Sequence, residues 1–206
     1  MAAKNSSFKI ILGSSSMARR QILAEMGHKF EIVTADIDEK SIRREKPEEL
    51  VMALAEAKAD AIISKLKITS HVEDDAYSTL LITADTVCFH FIISFCFLVL
   101  LFIIIFSPKR NDYSGGHVTV VGSVLVTNLV TGTRKGEWDR AEVYFHDIPD
   151  EVIDSLVEEG VMLNVAGGLM LEHPLTLPFV DTVVGTVDCV MGLPKTLTEK
   201  LIQEAL

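Results

Sequence analysis

The chain has few of the residues that build disulfide-linked or zinc-binding proteins. Its three cysteines, Cys88, Cys96 and Cys189, have no zinc-like spacing, and an odd number gives no disulfide framework. The six histidines include no metal-ligand pair at helical spacing. Residues 1–7 are polar and lack the apolar core of a signal peptide. These absences predict a protein of the reducing cytoplasm.

Positive charge is also scarce. Asp and Glu number 29 against 19 Lys and Arg, which gives a formal net charge of −10. Because nucleic-acid binding needs a basic face that neutralises phosphates, this balance argues against a nucleic-acid partner. It does not exclude a small nucleotide, for which a few local cations suffice. The length, 206 residues, suits one α/β domain.

A strand, a serine-rich loop and a helix follow one another near the amino terminus. Phe8–Leu12 is an apolar run typical of a buried strand, and apolar residues recur at helical spacing after the loop Gly13–Ser16. Backbone N–H groups at a helix start bind anions. Arg19 and Arg20 in that first turn oppose the helix dipole, which is understandable if they bind an anionic ligand such as a phosphate. The alternative is a solvated arginine pair behind an ordinary Ser cap.

A second apolar strand, Leu80–Thr86, carries the carboxylate of Asp85 at its end. Ligands of open α/β sheets bind at the carboxyl ends of strands, so Asp85 is predicted to face a ligand there. The helix predicted before it, from about Pro47 to Leu66, carries Lys58 in its middle. The alternative for Asp85 is a solvated acid at the end of a strand.

Short motifs in this order and at this spacing resemble the Maf family of nucleoside-triphosphate pyrophosphatases, in its plant-type or 7-methyl-GTP-type branch. The resemblance covers Phe8 to about Val87 and resumes from Tyr113. The motifs are Ser14-Ser15-Ser16-Met17-Ala18-Arg19-Arg20, Asp36-Ile37-Asp38-Glu39, Glu56-Ala57-Lys58-Ala59, Ala84-Asp85-Thr86, Ala166-Gly167-Gly168 and Gly192-Leu193-Pro194. It implies an α/β fold like that of inosine triphosphatases, with a mixed central sheet, flanking helices and two lobes around a nucleotide cleft. One such domain would span residues 1–206, interrupted at about 88–112.

The resemblance also implies an activity and a site. These enzymes hydrolyse the α–β phosphoanhydride of a nucleotide to a monophosphate and pyrophosphate with a divalent metal, here Mg²⁺ or Mn²⁺. Asp85 would take the catalytic position, as general base for water or as metal ligand, and Glu39 would be the second acid at the metal. The substrate would be bound by Ser14, Arg19, Arg20, Lys58 and Thr86. Such a division of roles suits phosphoryl chemistry, in which positioning and charge neutralisation do most of the catalysis.

Glu172 gives an indication of base selectivity. It follows the Ala166-Gly167-Gly168 motif at a place where the family divides between Gln and Glu. A carboxylate only accepts hydrogen bonds, so it suits guanine N1–H and N2–H and favours a cationic, N7-methylated guanine over a neutral pyrimidine. The sequence therefore favours a modified guanine nucleotide such as 7-methyl-GTP. The alternative is a surface glutamate beside His173.

The run from Cys88 to Phe106 contains no Lys, Arg, Asp or Glu and is long enough to span a bilayer. A span would put Asp85 and Glu172 on opposite sides of the membrane, so a membrane anchor and a working site exclude each other. The run is either buried core, or an anchor on a protein without activity, or foreign sequence from a retained intron or wrong exon boundary. We favour the last. A lysine that the family carries here is absent, so the resemblance implies impaired activity.

Two other functions compete with this prediction. One is an inosine- or xanthosine-triphosphate pyrophosphatase, which has a similar architecture. The other is a non-catalytic, membrane-attached nucleotide-binding protein. The resemblance implies a homodimer, and no residue pattern bears on the oligomeric state.

Overall fold

The computed structural model describes residues 8–69, 78–89, 114–160 and 170–206. Its first half alternates strands and helices, as the periodicity predicts. The elements are β1 (Phe8–Leu12), α1 (Met17–Glu25), β2 (Phe30–Ile32), a short 3₁₀ helix (Glu39–Ser41), α2 (Pro47–Thr69) and β3 (Ser78–Phe89). Both the first strand and the helix that carries the two arginines are therefore confirmed.

The second half begins with a long hairpin and continues into helices. The elements are β4 (His117–Asn128), β5 (Arg134–Phe145), α3 (Asp150–Glu159), a 3₁₀ helix (Leu177–Phe179), β6 (Val180–Val184), α4 (Val187–Val190) and α5 (Lys195–Ala205). The described strands form one six-stranded sheet in the order β2-β1-β3-β4-β5-β6. β1 pairs in parallel with β2 and β3, and the later strands pair antiparallel. The predicted mixed α/β architecture is confirmed.

The sequence predicted Asp85 at the end of its strand, and this is wrong. β3 continues to Phe89, because its second half pairs antiparallel with β4 as far as Phe89 opposite Thr119. The parallel neighbour β1 is shorter and ends at Leu12, opposite Ile82. Asp85 therefore projects from mid-strand, beyond the carboxyl end of β1. Asp85 still lies at the carboxyl end of the parallel part of the sheet, because β1 ends before Asp85 and not because β3 ends there.

Both faces of the sheet are covered, which explains the continuous apolar runs of β1 and β3. Leu12 packs with Ile22 of α1 and Leu201 of α5 on one face. On the other face Ile11 packs with Ile62 of α2. Successive side chains of a strand point to opposite faces, so β1 contributes to both clusters. This packing holds α1 and α2 on either side of the carboxyl end of β1.

The structure describes only the first two residues of the apolar run, and it does not describe the glycine-rich motif that follows α3. Cys88 and Phe89 end β3, and the rest of the atypical segment at about 88–112 lies outside the described residues. So does the Ala166-Gly167-Gly168 motif. In the ranges that the structure describes, no helix is long and apolar enough to cross a membrane.

Candidate active site

A cleft of about 1140 Å³ lies where β1, β3, α1 and α2 meet. It gathers all of the site residues predicted from the sequence. They are Ser14, Arg19, Arg20, Glu39, Lys58, Asp85, Thr86 and Glu172. Residues from both halves of the chain therefore line one cleft, which is large enough for a nucleotide-sized ligand.

The serine-rich loop joins β1 to α1 and forms one wall of the cleft. The Ser16 hydroxyl caps α1 by accepting a hydrogen bond from the Arg19 N–H at 3.4 Å. The first turn of α1 holds no acidic residue. Gly13 is required at the loop's start, since a Cβ there would lie 2.7 Å from side-chain carbons of Ile62 and Thr83. The close approach of the loop to β3 and α2 thus depends on this glycine.

Lys58 forms ion pairs with both acids for which the family resemblance implies catalysis or metal binding. Its ammonium lies 2.5 Å from Asp85 Oδ1 and 2.9 Å from Glu39 Oε1. The Asp85 and Lys58 side chains are largely buried, whereas that of Glu39 is half exposed. The two carboxylate oxygens thus converge on a single cationic centre inside the cleft.

Asp85 has the electrostatic surroundings of a functional carboxylate. Burial raises its pKa above the ordinary range, the positive charges of Lys58 and Arg19 act in the opposite direction, and the Glu39 carboxylate adds to the rise. The pKa therefore lies above that of a free aspartate, which brings the carboxylate closer to the strength of a useful general base. Its backbone N–H donates to the Ser123 hydroxyl at 3.3 Å, which fixes the strand at this point.

Arg19 and Arg20, for which the sequence predicted the same anion-binding role, have different hydrogen-bond partners. Arg19 uses Nε to donate to the Gly192 carbonyl at 2.9 Å, Nη1 to Ser14 Oγ at 3.3 Å and to the Ala84 carbonyl at 3.0 Å, and Nη2 to Thr86 Oγ1 at 2.9 Å. Burial lowers the pKa of this guanidinium, while Asp85 and Glu39 favour its charged form. An arginine stays charged in proteins, so Arg19 is a buried cation within a network of protein acceptors.

Arg20 has far fewer protein partners. Its Nη1 lies 3.8 Å from the Met17 sulfur, which is a weak acceptor. Its Nε is buried and finds no hydrogen-bond partner within the described residues. Buried donors in native proteins are normally satisfied, so this group is a candidate for a ligand contact.

Glu172 lies far from the serine-rich loop in the sequence but lines the same cleft, and it is exposed. Met170 and Leu171 line the same region. The next residue, His173, pairs with Glu159 at the end of α3 at 2.9 Å. Glu172 is therefore part of the cleft, between apolar neighbours and a segment attached to α3.

Sequence reasoning missed the part played by Gly192. Its motif was recognised, but no contact followed from it. In the structure Gly192 has a φ of +93°, and its carbonyl accepts from Arg19 Nε. A Cβ would lie 2.8 Å from Thr86 Oγ1 and 3.2 Å from Arg19 Nε. The Gly192-Leu193-Pro194 sequence before a helix indicated a turn at this place, since glycine and proline mark turns.

The acids of the cleft do not form a complete protein-only metal site. Over the described part of the chain, no group of three or more His, Cys, Asp or Glu side chains could hold a metal ion. Glu39 and Asp85 form a pair of oxygen donors, which suits a hard divalent cation that also takes phosphate oxygens and water. The donor set fits such a cation only together with a ligand.

Comparison with known proteins shows the family that the chain resembles. The sequence model of the family described as Maf-like protein matches residues 9–101 and 109–205. A 7-methyl-GTP pyrophosphatase of Dictyostelium discoideum is 34% identical over 203 residues, covering 95% of this chain and 96% of the relative. A dTTP/UTP pyrophosphatase of Alkaliphilus metalliredigens is 27% identical over 194 residues, covering 90% of each chain. A 7-methyl-GTP pyrophosphatase of Nitrosococcus oceani is 27% identical over 205 residues, covering 95% of this chain and 92% of the relative.

An α/β protein with a cationic, acid-containing cleft at the carboxyl end of parallel strands has the architecture of a nucleotide-binding protein. The chain belongs to the Maf-like protein family. The resemblance inferred from the short motifs is thereby confirmed.

Proposed function

We propose that the protein is a nucleoside-triphosphate pyrophosphatase that hydrolyses the α–β phosphoanhydride of a nucleotide to a monophosphate and pyrophosphate. The supporting observation is the meeting of three cations, three acids and the hydroxyls of Ser14 and Thr86 in one cleft. The names of the relatives, 7-methyl-GTP pyrophosphatase and dTTP/UTP pyrophosphatase, support the same reaction. A polyphosphate is the ligand that needs this number of cations and donors together.

In this proposal the phosphate chain lies against the serine-rich loop and the start of α1. Arg20 and Lys58 bind the phosphate oxygens, and the hydroxyls of Ser14 and Thr86 donate to them. Arg19 adds its positive charge to the same wall of the cleft. Positioning and charge neutralisation of this kind supply most of the catalysis in phosphoryl transfer.

Asp85 is proposed as the catalytic carboxylate, acting either as the general base that takes the proton of the attacking water or as a ligand of a divalent cation together with Glu39. The convergence of both carboxylates on the Lys58 ammonium supports a shared cation site. Charge neutralisation at the phosphate oxygens is the chemistry that Mg²⁺ or Mn²⁺ supplies in such a site. A cytoplasmic location stays a prediction from the sequence, and a homodimer stays an expectation from the family resemblance.

The proposal is tested by pyrophosphate release from the purified protein across a nucleotide panel with and without Mg²⁺ or Mn²⁺. The panel contains 7-methyl-GTP, GTP, UTP, dTTP, ITP and XTP. We expect release with at least one of them, and a loss of about 100-fold or more in kcat for Asp85→Asn. Full activity of Asp85→Asn, or no release from any nucleotide, would contradict the proposal.

The substrate favoured within this proposal is 7-methyl-GTP. Glu172 presents an acceptor-only carboxylate to the cleft, and a relative named as a 7-methyl-GTP pyrophosphatase shares 34% identity. Glu172→Gln keeps the size of the side chain but removes its charge and half of its acceptors. Because hydrogen bonds to charged groups contribute about 1.5–3 kcal/mol, the preference for 7-methyl-GTP over UTP in kcat/KM should fall about tenfold to 100-fold.

Glu159→Gln is the matched control for that variant, since Glu159 pairs with His173 beside Glu172 and is not among the residues that line the cleft in the described part of the chain. It should leave the ratio of kcat/KM values unchanged. A wild-type preference for pyrimidine triphosphates would contradict the assignment of Glu172 to a guanine edge, while leaving the pyrophosphatase reaction in place.

A further inference from the structure

Arg19 connects four separate parts of the chain. Its donors reach Ser14 in the serine-rich loop, Ala84 and Thr86 on β3, and Gly192 in the turn before α5. A guanidinium has five N–H donors, and four of these are accounted for by protein acceptors. Little donor capacity is left with which Arg19 could bind a phosphate itself.

The bonds from Arg19 change what the two hydroxyls can do. A hydroxyl has one proton and two acceptor lone pairs. Ser14 Oγ accepts from Arg19 Nη1 at 3.3 Å and from the Ser16 N–H at 3.2 Å, so both of its lone pairs are used. Thr86 Oγ1 accepts from Arg19 Nη2 at 2.9 Å. Each hydroxyl keeps its proton, and across the described ranges neither donates it to a protein acceptor.

Arg20 provides the contrast on the next residue of the same helix. Its Nε is buried without a hydrogen-bond partner in the described ranges, and Nη1 faces only a methionine sulfur. Two neighbouring arginines line one cleft, yet one has its donors occupied and the other has them available. The difference separates a structural role from a ligand-binding one.

We propose that Arg19 is a positioning residue that fixes the Ser14 and Thr86 hydroxyls as dedicated donors to an anion in the cleft. Arg19 occupies one lone pair of each hydroxyl, and the Ser16 N–H occupies the second lone pair of Ser14. Ser14 therefore has only its proton to offer, and the proton of Thr86 is directed away from the guanidinium. It acts on the ligand through these two groups and does not bind it directly. The identity of the anion as the phosphate chain of a nucleotide rests on the proposed function.

The test compares Arg19→Lys with Arg20→Lys in two backgrounds, the wild type and Ser14→Ala/Thr86→Val. A lysine keeps the charge but cannot reach four acceptors with one ammonium. In the wild-type background Arg19→Lys should lower kcat/KM by about 100-fold. In the Ser14→Ala/Thr86→Val background, Arg19→Lys should lower kcat/KM by less than about threefold relative to that background, because the groups through which Arg19 acts are gone.

Arg20→Lys should instead lower kcat/KM by the same factor in both backgrounds, since its contact with the ligand does not depend on the hydroxyls. If Arg19→Lys retains its full loss in the Ser14→Ala/Thr86→Val background, Arg19 contacts the ligand itself and the proposal is overturned. Thermal unfolding shows whether each variant is folded. Arg19→Gln is the second replacement, and the same comparison is made with it if Arg19→Lys does not fold.

Calorimetric binding of inorganic pyrophosphate to the same variants separates this proposal from the proposed function. Pyrophosphate affinity requires no turnover and should show the same pattern of coupled losses for Arg19 and independent losses for Arg20. If the wild type binds pyrophosphate in this pattern but hydrolyses no nucleotide, the positioning role stands and the proposed function fails. If it neither hydrolyses a nucleotide nor binds pyrophosphate, both fail.

Discussion

At the scale of single residues, the cleft combines a buried carboxylate with a lysine and an arginine that only partly offset the effect of burial. Asp85 has a raised pKa because desolvation outweighs the attraction of Lys58 and Arg19. An enzyme that needs an ionised buried acid is less stable than one with a neutral group at that position. The consequence can be measured without any substrate.

The stability of Asp85→Asn relative to the wild type should rise between pH 4 and pH 7, in addition to the pH-independent cost of removing the partner of the Lys58 ammonium. Because the folded-state pKa of Asp85 is raised, the folded protein holds this proton more tightly than the unfolded chain, so stability is highest below the unfolded pKa and falls as the pH rises through the folded pKa. The free energy of unfolding of the asparagine variant, relative to that of the wild type, should therefore fall towards pH 4, near the ordinary pKa of 3.8. Urea unfolding at both pH values, without added metal, measures this difference.

The matched control for that experiment is Asp60→Asn, an exposed acid on α2 that pairs with Arg134. An exposed ion pair contributes only about 0–1 kcal/mol, so this variant should show at most a small loss at pH 7. A lower stability of Asp85→Asn at pH 7, with recovery in acid, would contradict the direction of the Asp85 pKa shift.

At the scale of elements, two buried hydroxyls and one glycine hold the cleft together. Thr83 Oγ1 donates to the Ala55 carbonyl at 2.8 Å, and Ser123 Oγ donates to the Val51 carbonyl at 2.7 Å. These bonds tie α2 to β3 and β4, so Lys58 faces Asp85. The turn between α4 and α5 contributes Gly192, whose backbone conformation and closeness to Thr86 leave no room for a side chain.

Gly192→Ala should lower both stability and activity. A φ of +93° is strained for any residue with a Cβ, and that Cβ would lie 2.8 Å from Thr86 Oγ1. The strain costs about 1–3 kcal/mol. Because the clash involves Thr86 and Arg19, kcat should fall about tenfold or more. Thermal unfolding and pyrophosphate release measure the two effects.

Gly132→Ala separates backbone strain from the effect on the cleft. Gly132 also has a positive φ, +76°, but a Cβ there would meet nothing within 4 Å. This variant should lose about 1 kcal/mol of stability and keep the wild-type kcat. Equal losses of kcat in both glycine variants would contradict a specific role of Gly192 in the cleft.

At the scale of the whole molecule, one mixed sheet with two covered faces holds the elements of the cleft. α1 and α5 cover one face and α2 covers the other. Asn128, at the end of β4, links the hairpin to the last helix. Its Nδ2 donates to the Ala205 carbonyl at 3.0 Å, and its Oδ1 accepts from the N–H groups of Val130 and Thr131.

Asn128→Ala should destabilise the whole fold by about 2–3 kcal/mol, because it leaves three backbone groups without their partner. The loss should appear as one cooperative shift of the unfolding transition, since both the hairpin turn and α5 are affected. Thr131→Ala removes an exposed hydroxyl that donates to Thr133 Oγ1 and accepts from the Thr133 N–H, and it should change stability by less than about 0.5 kcal/mol. Urea unfolding followed by circular dichroism compares the two variants. Similar stability of both would contradict the role assigned to Asn128.

Several features of the fold and the cleft were predictable from local patterns. The apolar run of β1 and the helical spacing of apolar residues after the serine-rich loop are short-range signals, and each matches the structure. Residue type and family resemblance predicted that Asp85 and Lys58 would share a site, and both line the cleft. The length of β3 was not predictable, because it depends on pairing with β4, which lies far along the chain.

By itself the sequence determined which elements form and which charged and hydroxyl groups lie at their ends, because periodicity, caps and turns are local properties. Only the tertiary structure decided how those groups are used. Arg19 and Arg20 are adjacent and chemically identical, and their hydrogen-bond partners differ because Arg19 reaches acceptors at Ala84, Thr86 and Gly192. Those acceptors come together only when β3 and the turn before α5 pack beside α1, so no local pattern records them.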